Sequence, residues 1–163
     1  LPPDLDLDCV TAIGVLQFIP QPGVVVRAAY RALRPGGRFV IWVYSIEGMR
    51  LFVYPITALR AMTTRLPHVV LSGVCEVLTM GLDLYVWMCR WFSLPLRSYV
   101  RGVLARTTRD VRKVTIYDQL NSTYVRYHRQ QEVEALLADA GFTDIHLHHR
   151  RGYSWSAIGT KPS

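Results

Sequence analysis

Hydrophobic residues form two unbroken runs near the start of the chain, and a segment with helical periodicity separates them. The first run is Cys9–Ile13 and the second is Phe39–Tyr44. Neither run alternates strictly between apolar and polar residues, which is typical of strands buried on both faces in a parallel sheet. The pattern therefore predicts a strand–helix–strand unit with a right-handed crossover.

The intervening helix has one apolar face and recognisable ends. Four apolar residues recur at the i, i+3, i+4, i+7 spacing of one helix face: Val26, Ala29, Tyr30 and Leu33. Pro22 suits the first helical turn, where its missing N–H costs nothing. Pro35 cannot continue the helix, and Gly36 or Gly37 can adopt the positive φ of a turn. The arginines of the other face are expected to be solvent-exposed: Arg27, Arg31 and Arg34.

Three segments in this region also carry a family resemblance. Asp8 opens the first strand, Ile13–Pro20 follows that strand, and Leu33–Gly37 leads into the second. In this order they resemble the second half of a class I S-adenosylmethionine-dependent methyltransferase domain of the type 11-like group. There they are the fourth strand, its cofactor-side loop, a helix and the turn into the fifth strand. The resemblance implies an α/β fold: a partial Rossmann-like methyltransferase sheet of strands four to seven, the last one antiparallel, with an α-helical insertion.

The resemblance further implies S-adenosylmethionine as the cofactor. Ligands of open α/β sheets bind beyond the carboxyl ends of the parallel strands, which here is the loop after the first strand. By resemblance, the cofactor-binding residues are Ile13, Gly14, Leu16 and Gln17. Relatives often carry two histidines where this chain has Gln17 and Phe18. For Ile13 and Leu16, plain packing in the core is the alternative interpretation.

Residues 46–112 predict a helical insertion or cap after the second strand. Met49–Arg65 has helical character, with Pro55 as a kink or break, and Val69–Phe92 is the most apolar region. No charge-free run there approaches the ~18 residues of a membrane-crossing helix. We expect this helix to bury most of its surface in a bundle over the sheet, with a substrate-lining lid or an in-plane membrane contact as alternatives. Its polar residues form one narrow stripe: Ser72, Glu76, Thr79, Asp83 and Arg90.

Residues 113–163 predict the remainder of the same domain as the segment 1–45. The range Gln130–Ala140 has one apolar helix face, and Gly141 is suited to cap its end. Thr143–His149 and Tyr153–Thr160 predict a terminal β-hairpin. This order resembles strands six and seven of the methyltransferase fold, so we expect these strands to join the first two in a single sheet.

The segment Ile116–His128 predicts a polar, aromatic loop and supplies the substrate-side candidates. They are Tyr117, Asp118, Tyr124, Tyr127 and His128. Asp118 can orient a donor or take a proton, and the tyrosines and the histidine can line the acceptor site or carry out acid–base chemistry. The alternative is an ordered loop whose side chains bond to backbone. Because this family has no fixed catalytic signature, the catalytic residue stays unknown.

The formal net charge of +7 comes almost entirely from arginine and favours anionic partners. The basic residues at 106–113 lack interleaved aromatic side chains, which argues against nucleic acid. The histidines at 146, 148 and 149 have no acidic or cysteine ligand at recognisable spacing, so no metal is expected. Three cysteines without framework spacing indicate a cytoplasmic protein, with peripheral membrane contact as the alternative. The expected acceptor is a small molecule or a lipid.

Complete methyltransferase domains of this class carry a glycine-rich loop after strand one of the family sheet. That strand and loop are absent from the 163 residues, which begin near strand four. Gly36 and Gly37 follow a helix and precede a strand, the reverse order of a nucleotide-cradling turn. We therefore expect a carboxyl-terminal half that is inactive as an isolated chain. Its first strand would present an open edge to the missing amino-terminal half or to a second copy. The alternative function is a non-catalytic membrane-surface or protein-interaction module that uses the helical insertion.

Overall fold

The computed structural model describes residues 5–163 and divides the chain into two compact units. The sheet unit comprises residues 5–48 together with residues 124–163, and the helical unit comprises residues 49–123. From the sequence, the insertion was expected to span residues 46–112. The first four residues of the expected segment 1–45 lie outside the described residues.

The described residues form strands in the sheet unit and helices in both units. In chain order the elements are β1 (Leu7–Ile13), α1 (Pro22–Ala32), β2 (Leu33–Tyr44), α2 (Arg50–Thr63), α3 (His68–Trp91), α4 (Arg97–Gly102), α5 (Arg109–Asn121), α6 (Gln130–Ala138), β3 (Thr143–Arg150) and β4 (Ser154–Thr160). Short 3-10 turns lie at Leu16–Phe18 and Leu104–Arg106. The strand–helix–strand unit and the terminal hairpin predicted from the sequence are thus confirmed.

The four described strands join one sheet in the order β1-β2-β4-β3. β1 runs parallel to β2, with Val10 beside Phe39, whereas β4 is antiparallel to both β2 and β3, with Val40 beside Ile158. This is the partial Rossmann-like sheet with an antiparallel last strand that the sequence predicted. Because β1 ends the order, one of its edges has no partner strand among residues 5–163.

Helices α1 and α6 supply the apolar layer over the sheet. α1 buries Val26 and Ala29, which belong to the face predicted from the sequence. α6 buries Val133 and Leu137, and both helices join the cluster that contains Phe39 of β2. The arginines expected on the outer face are exposed: Arg27, Arg31 and Arg34.

Phe142 connects the terminal hairpin to this core. Its ring stacks on Phe39 at a centroid distance of 5.5 Å and meets Tyr30 edge-on at 5.1 Å. The preceding Gly141 ends the helical segment with a φ of +99°, in agreement with its predicted role as a cap. The aromatic contacts therefore hold the start of β3 close to the helix layer.

In the helical unit, α2 and α3 both bind α5. Arg60 of α2 donates from its guanidinium to the carbonyl oxygen of Gln119 at 2.7 Å and to the Gln119 side-chain oxygen at 3.2 Å. Asp83 of α3 pairs with Arg112 at 2.8 Å, and Glu76 pairs with Lys113 at 2.6 Å. The two acidic residues of the polar stripe predicted on α3 therefore face basic partners on α5.

The predicted loop Ile116–His128 is wrong over its first part, because residues up to Asn121 belong to α5. The side-chain oxygen of Thr108 accepts the N–H of Val111 and caps the start of this helix. Further along, α2 holds the helix, because the Arg60 guanidinium donates to Gln119 and the Thr63 hydroxyl donates to the carbonyl oxygen of Leu120 at 3.0 Å. The partners lie far away in sequence, which explains why the polar stretch itself gave no helical signal.

The expectation that α3 buries most of its surface is also wrong. Its buried residues lie on one face, which α5 packs against: Leu71, Cys75, Thr79 and Cys89. On the other face, the exposed fraction is 81% for Val69 and 72% for Trp91. Among the described residues, α3 is one helix that has the length and the composition of a membrane-crossing segment.

We expect Gly48→Ala to destabilise the sheet unit more than Gly152→Ala does. Both glycines have positive φ, +79° and +77°, so each alanine introduces about 1–2 kcal/mol of backbone strain. A Cβ at Gly48 would also lie 2.6 Å from the carbonyl oxygen of Gly152, whereas one at Gly152 meets nothing within 4 Å. Urea denaturation should show an additional loss of about 1–3 kcal/mol in the free energy of unfolding for Gly48→Ala. Equal losses for the two variants would contradict this close approach.

Candidate functional site

The carboxyl ends of β1 and β2 lie side by side at one edge of the sheet. The N–H of Gly14 donates to the carbonyl oxygen of Trp42 at 3.0 Å, which extends the pairing one residue beyond β1. The chain then turns through the 3-10 segment Leu16–Phe18. In open α/β sheets, this edge is where ligands bind.

The four residues that the sequence assigned to the cofactor differ in their accessibility. Ile13 is 57% exposed, and Gly14 takes a φ of +69° that favours glycine. Leu16 is fully buried in the core cluster, as its alternative interpretation predicted. Gln17 is 1% exposed, and its Oε1 has no hydrogen-bond partner among the described residues. Ile13 and Gly14 thus offer surface to a ligand, while Gln17 offers a buried acceptor atom.

The segment 126–128 runs alongside this edge after the chain leaves the helical unit. The N–H of Arg126 donates to the carbonyl oxygen of Gln17 at 2.8 Å. The N–H of His128 donates to Tyr44 at 2.8 Å, and the N–H of Ile46 donates to His128 at 3.2 Å. These bonds bring Tyr127 and His128 beside the end of β2 and the loop after β1.

Aromatic side chains cover the end of β2. Tyr127 stacks on Tyr44 at a centroid distance of 5.7 Å, and Phe18 meets Tyr44 edge-on at 6.2 Å. Trp42 contacts Tyr44 at 5.4 Å. Sequence reasoning selected Tyr127 but missed Trp42 and Tyr44. Their signal was the pair of large aromatic residues at alternate positions in the last residues of an apolar strand.

A polar cluster fixes the chain just beyond β2. The indole N–H of Trp155 donates to the Glu47 carboxylate at 2.8 Å, and the backbone N–H of Gln130 donates to the same carboxylate at 3.2 Å. The Nε2 of His149 lies 3.0 Å from the Ser45 hydroxyl oxygen. Glu47 therefore joins β4 and the start of α6 to the end of β2, a role that the sequence did not suggest.

An ion pair joins the returning segment to the start of α6. The Arg126 guanidinium lies 3.0 Å from Glu132, whose carboxylate also accepts the backbone N–H of Arg129 at 2.8 Å. Burial acts to raise the pKa of Glu132, but the Arg129 N–H and the Arg126 guanidinium outweigh it and lower that pKa. The hydrogen bond to Glu132 raises the pKa of Arg126. Both groups stay charged beside the site at neutral pH.

His128 is the buried titratable group of this edge. Its side chain is 2% exposed, and neither ring nitrogen has a hydrogen-bond partner among the described residues. Burial, followed by the positive charge of Arg126, lowers the pKa of His128. The imidazole is therefore neutral at pH 7 and keeps a lone pair that can accept a proton.

The structure divides the five substrate-side candidates between the two units. Tyr124, which is 36% exposed, lies with Tyr127 and His128 in the sheet unit. Tyr117 and Asp118 lie on α5 in the helical unit. The hydroxyl of Tyr117 is 2.8 Å from Nδ1 of His68, while Asp118 is exposed.

The described residues contain no group of three or more His, Cys, Asp or Glu side chains that could hold a metal ion. Among the strand histidines, His146 lies 2.9 Å from the carboxylate of Asp144, and both side chains are largely exposed. This pair is therefore an exposed side-chain contact on the surface of β3.

Comparisons with known proteins agree with the geometry. The family described as "Methyltransferase domain" matches residues 2–41. No curated protein matches the chain. A crystal structure from Thermotoga maritima, described as a SAM-dependent methyltransferase and possible histamine N-methyltransferase, is 13% identical with a TM-score of 0.50. The match covers 99% of this chain and 59% of that one.

Two other similar structures come from Bordetella parapertussis and from human. A possible exported protein from Bordetella parapertussis is 16% identical with a TM-score of 0.49, and the match covers 99% of this chain and 41% of that one. Human N-acetylserotonin methyltransferase in complex with SAM is 14% identical with a TM-score of 0.49, and the match covers 100% of this chain and 31% of that one. The chain thus spans 59% or less of the length of these three proteins.

The fold defines the class of the sheet unit. Its parallel pair with a crossover helix and its antiparallel last strand form part of the class I methyltransferase fold, which the Thermotoga maritima structure shares. The matched family covers β1, α1 and most of β2. The resemblance found in the sequence, to class I S-adenosylmethionine-dependent methyltransferases, is confirmed.

We expect the folded chain to lose stability as the pH falls below about 6.5, and His128→Leu to reduce that loss. The unfolded histidine has a pKa near 6.5, and the folded one lies lower. Between these two pKa values the unfolded chain binds more protons, so acidification favours unfolding. Urea denaturation between about pH 7.5 and pH 5 measures the slope. The control is His148→Leu, which removes an exposed strand histidine; a slope that changes equally in both variants would contradict the assignment.

Proposed function

We propose that this protein takes part in S-adenosylmethionine-dependent methyl transfer to a small-molecule or lipid acceptor. The observation that carries the proposal is the accessible loop at the carboxyl edge of β1 and β2, within a segment that matches a methyltransferase domain. Tyr127 and His128 lie at the same edge. Donor and acceptor groups can therefore approach one another there.

S-adenosylmethionine supplies an activated methyl group on its sulfonium, so the protein mainly has to position the acceptor and remove a proton where one is released. On this chain, Ile13 and Gly14 would hold part of the donor, because they are accessible after β1. Oε1 of Gln17 fits this role, since it is a buried acceptor atom without a partner among residues 5–163 and suits a ligand N–H or O–H. Leu16 would support the loop from the core.

On the acceptor side, the neutral imidazole of His128 would take the released proton. Tyr124 and Tyr127 would line the acceptor, with Tyr127 held in place by stacking on Tyr44. Tyr117 and Asp118 stay predictions from the sequence, on α5 of the helical unit.

We expect the 163-residue chain to bind S-adenosylmethionine only at millimolar concentration, because it lacks a glycine-rich loop for the rest of the donor. A titration followed by amide NMR should shift the resonances of Ile13–Gln17 and Trp42. Calorimetry should show no heat at micromolar concentration, since a millimolar Kd corresponds to only about 4 kcal/mol of binding free energy.

Ile13→Arg should weaken this binding, since its guanidinium would repel the sulfonium. The matched control is Val24→Arg on α1, because Val24 is exposed to a similar extent, 52% against 57% for Ile13. No shift at the Ile13–Gln17 loop under saturating ligand would overturn the donor site. Tight binding in the calorimeter would contradict the expected weak affinity.

We also propose that the isolated chain associates with itself through the free edge of β1. An apolar groove of about 360 Å³ lies along this edge between β1 and α1, lined by residues such as Val10, Val15 and Val25. The opposite edge strand, β3, carries His146, His148 and the charged Arg150 on its exposed positions, and a charged side chain on an edge strand discourages pairing. In a longer chain, the preceding strands of the class would occupy the same groove.

Thr11→Lys should shift the isolated chain towards the monomer in light scattering, because a charge on an edge strand opposes pairing. Thr11 is exposed on β1, and the control Thr143→Lys places the same charge on the exposed edge of β3. A monomeric wild-type chain, or dissociation by the β3 variant alone, would be evidence against the β1 interface.

A further inference from the structure

One face of α3 carries an uninterrupted stripe of exposed residues without charge. We call it the exposed stripe, and its members recur at helical spacing: Val69, Gly73, Val77, Met80, Leu84, Trp87 and Trp91. Val69, Val77 and Trp91 are 81%, 69% and 72% exposed. The stripe spans about 33 Å along the helix and about 80° of its circumference. A helix on the surface of a soluble protein normally carries polar residues on such a face.

The helical unit does not use the exposed stripe for its own packing. The opposite face of α3 holds the buried residues, and Glu76 and Asp83 lie on the edge that faces the basic residues of α5. These ion pairs neutralise the acidic charge of α3. The surface that α3 presents outward is therefore apolar and carries no negative charge.

Net positive charge is concentrated in the same unit. Residues 49–123 contain ten Arg and Lys against four Asp and Glu, which gives +6 of the total +7. Arg90 and Arg101 are exposed, and among residues 5–163 neither forms an ion pair. The apolar face suits the acyl-chain boundary of a phospholipid surface, and the nearby arginines suit its anionic headgroups.

A groove next to the exposed stripe brings the two arginines together. It has a volume of about 530 Å³ and lies between the end of α3 and the α4 region, lined by Val86, Arg90, Trp91, Arg101 and Ala105. Guanidinium groups are well suited to phosphate because they donate in a planar, forked geometry. Trp91 adds an amphipathic ring of the kind found at membrane interfaces.

We propose that the helical unit docks on an anionic phospholipid surface. α3 lies in the membrane plane with the exposed stripe at the boundary between headgroups and acyl chains, and Arg90 and Arg101 hold a lipid phosphate in the groove. A crossing orientation would place Glu76, Asp83 and their basic partners at membrane depth, which is costly. A second copy on the stripe would bring two units of +6 together. The proposal is independent of methyl transfer.

The test is flotation of the full chain with phosphatidylcholine vesicles, with and without phosphatidylglycerol. We expect binding only with phosphatidylglycerol, weakening as salt is raised. The double variant Arg90→Gln/Arg101→Gln should bind about 30-fold more weakly, since each basic residue near an anionic surface contributes a factor of about five. Its control, Arg27→Gln/Arg31→Gln, removes the same charge from the exposed face of α1 and should change binding less than threefold.

A second pair of measurements examines the exposed stripe itself. Trp87→Ala/Trp91→Ala should also lose binding while circular dichroism shows unchanged helix content. Equal flotation on both vesicle types, or equal losses for the two arginine pairs, would overturn the proposal. Resistance of the bound chain to alkaline carbonate would show that α3 crosses the bilayer. Loss of a lipid-free dimer in the tryptophan variant would show that a second copy covers the stripe.

Discussion

The hydrogen bonds between the end of β2 and the segment 126–128 are the constraint on which the candidate site depends. The chain leaves the sheet unit after residue 48 and returns at residue 124. The bonds of His128 to Tyr44 and Ile46, and of Arg126 to Gln17, close this long excursion. Closing a long loop costs only slightly more entropy than closing a short one. These backbone hydrogen bonds, together with those that Glu47 accepts from Trp155 and Gln130, are therefore enough to hold the two ends of the insertion together. They bring three distant segments to one edge of the sheet.

The parts of this fold that sequence could predict are those with local signals. Hydrophobic runs, the spacing of Val26 and Ala29, and the Leu33–Gly37 turn defined β1, α1 and β2, and alternation defined the terminal hairpin. The end of α5 was missed because its contacts, such as those of Gln119 with Arg60, are made with α2, which is distant in sequence. A loop after β1 was predicted, but the burial of Gln17 and His128 was not, since it depends on pairing with the segment that returns after the whole insertion.

The helical unit shows why an apolar helix does not imply a buried helix. Its compact core of buried apolar residues consists of Leu71, Cys75 and Leu120, with partly buried neighbours around it. Exposed ion pairs such as that of Glu76 with Lys113 contribute little by themselves. A unit with so small a core gains from any surface that removes its outer apolar residues from water. Glu76, Thr79 and Asp83 of the polar stripe on α3 face the protein, whereas Arg90 and the apolar positions of the exposed stripe face outward.

The chain leaves the sheet unit and returns to it at neighbouring positions. Ile46 and His128 are joined by a backbone hydrogen bond of 3.2 Å, although residues 49–123 lie between them. Residues can be gained or lost within that interval without moving β2 or α6, and each doubling of its length costs about 0.6 kcal/mol. Residues 49–123 therefore form an insertion that another sequence could replace. Its size and surface chemistry can diversify over evolutionary time while the sheet that anchors it stays the same.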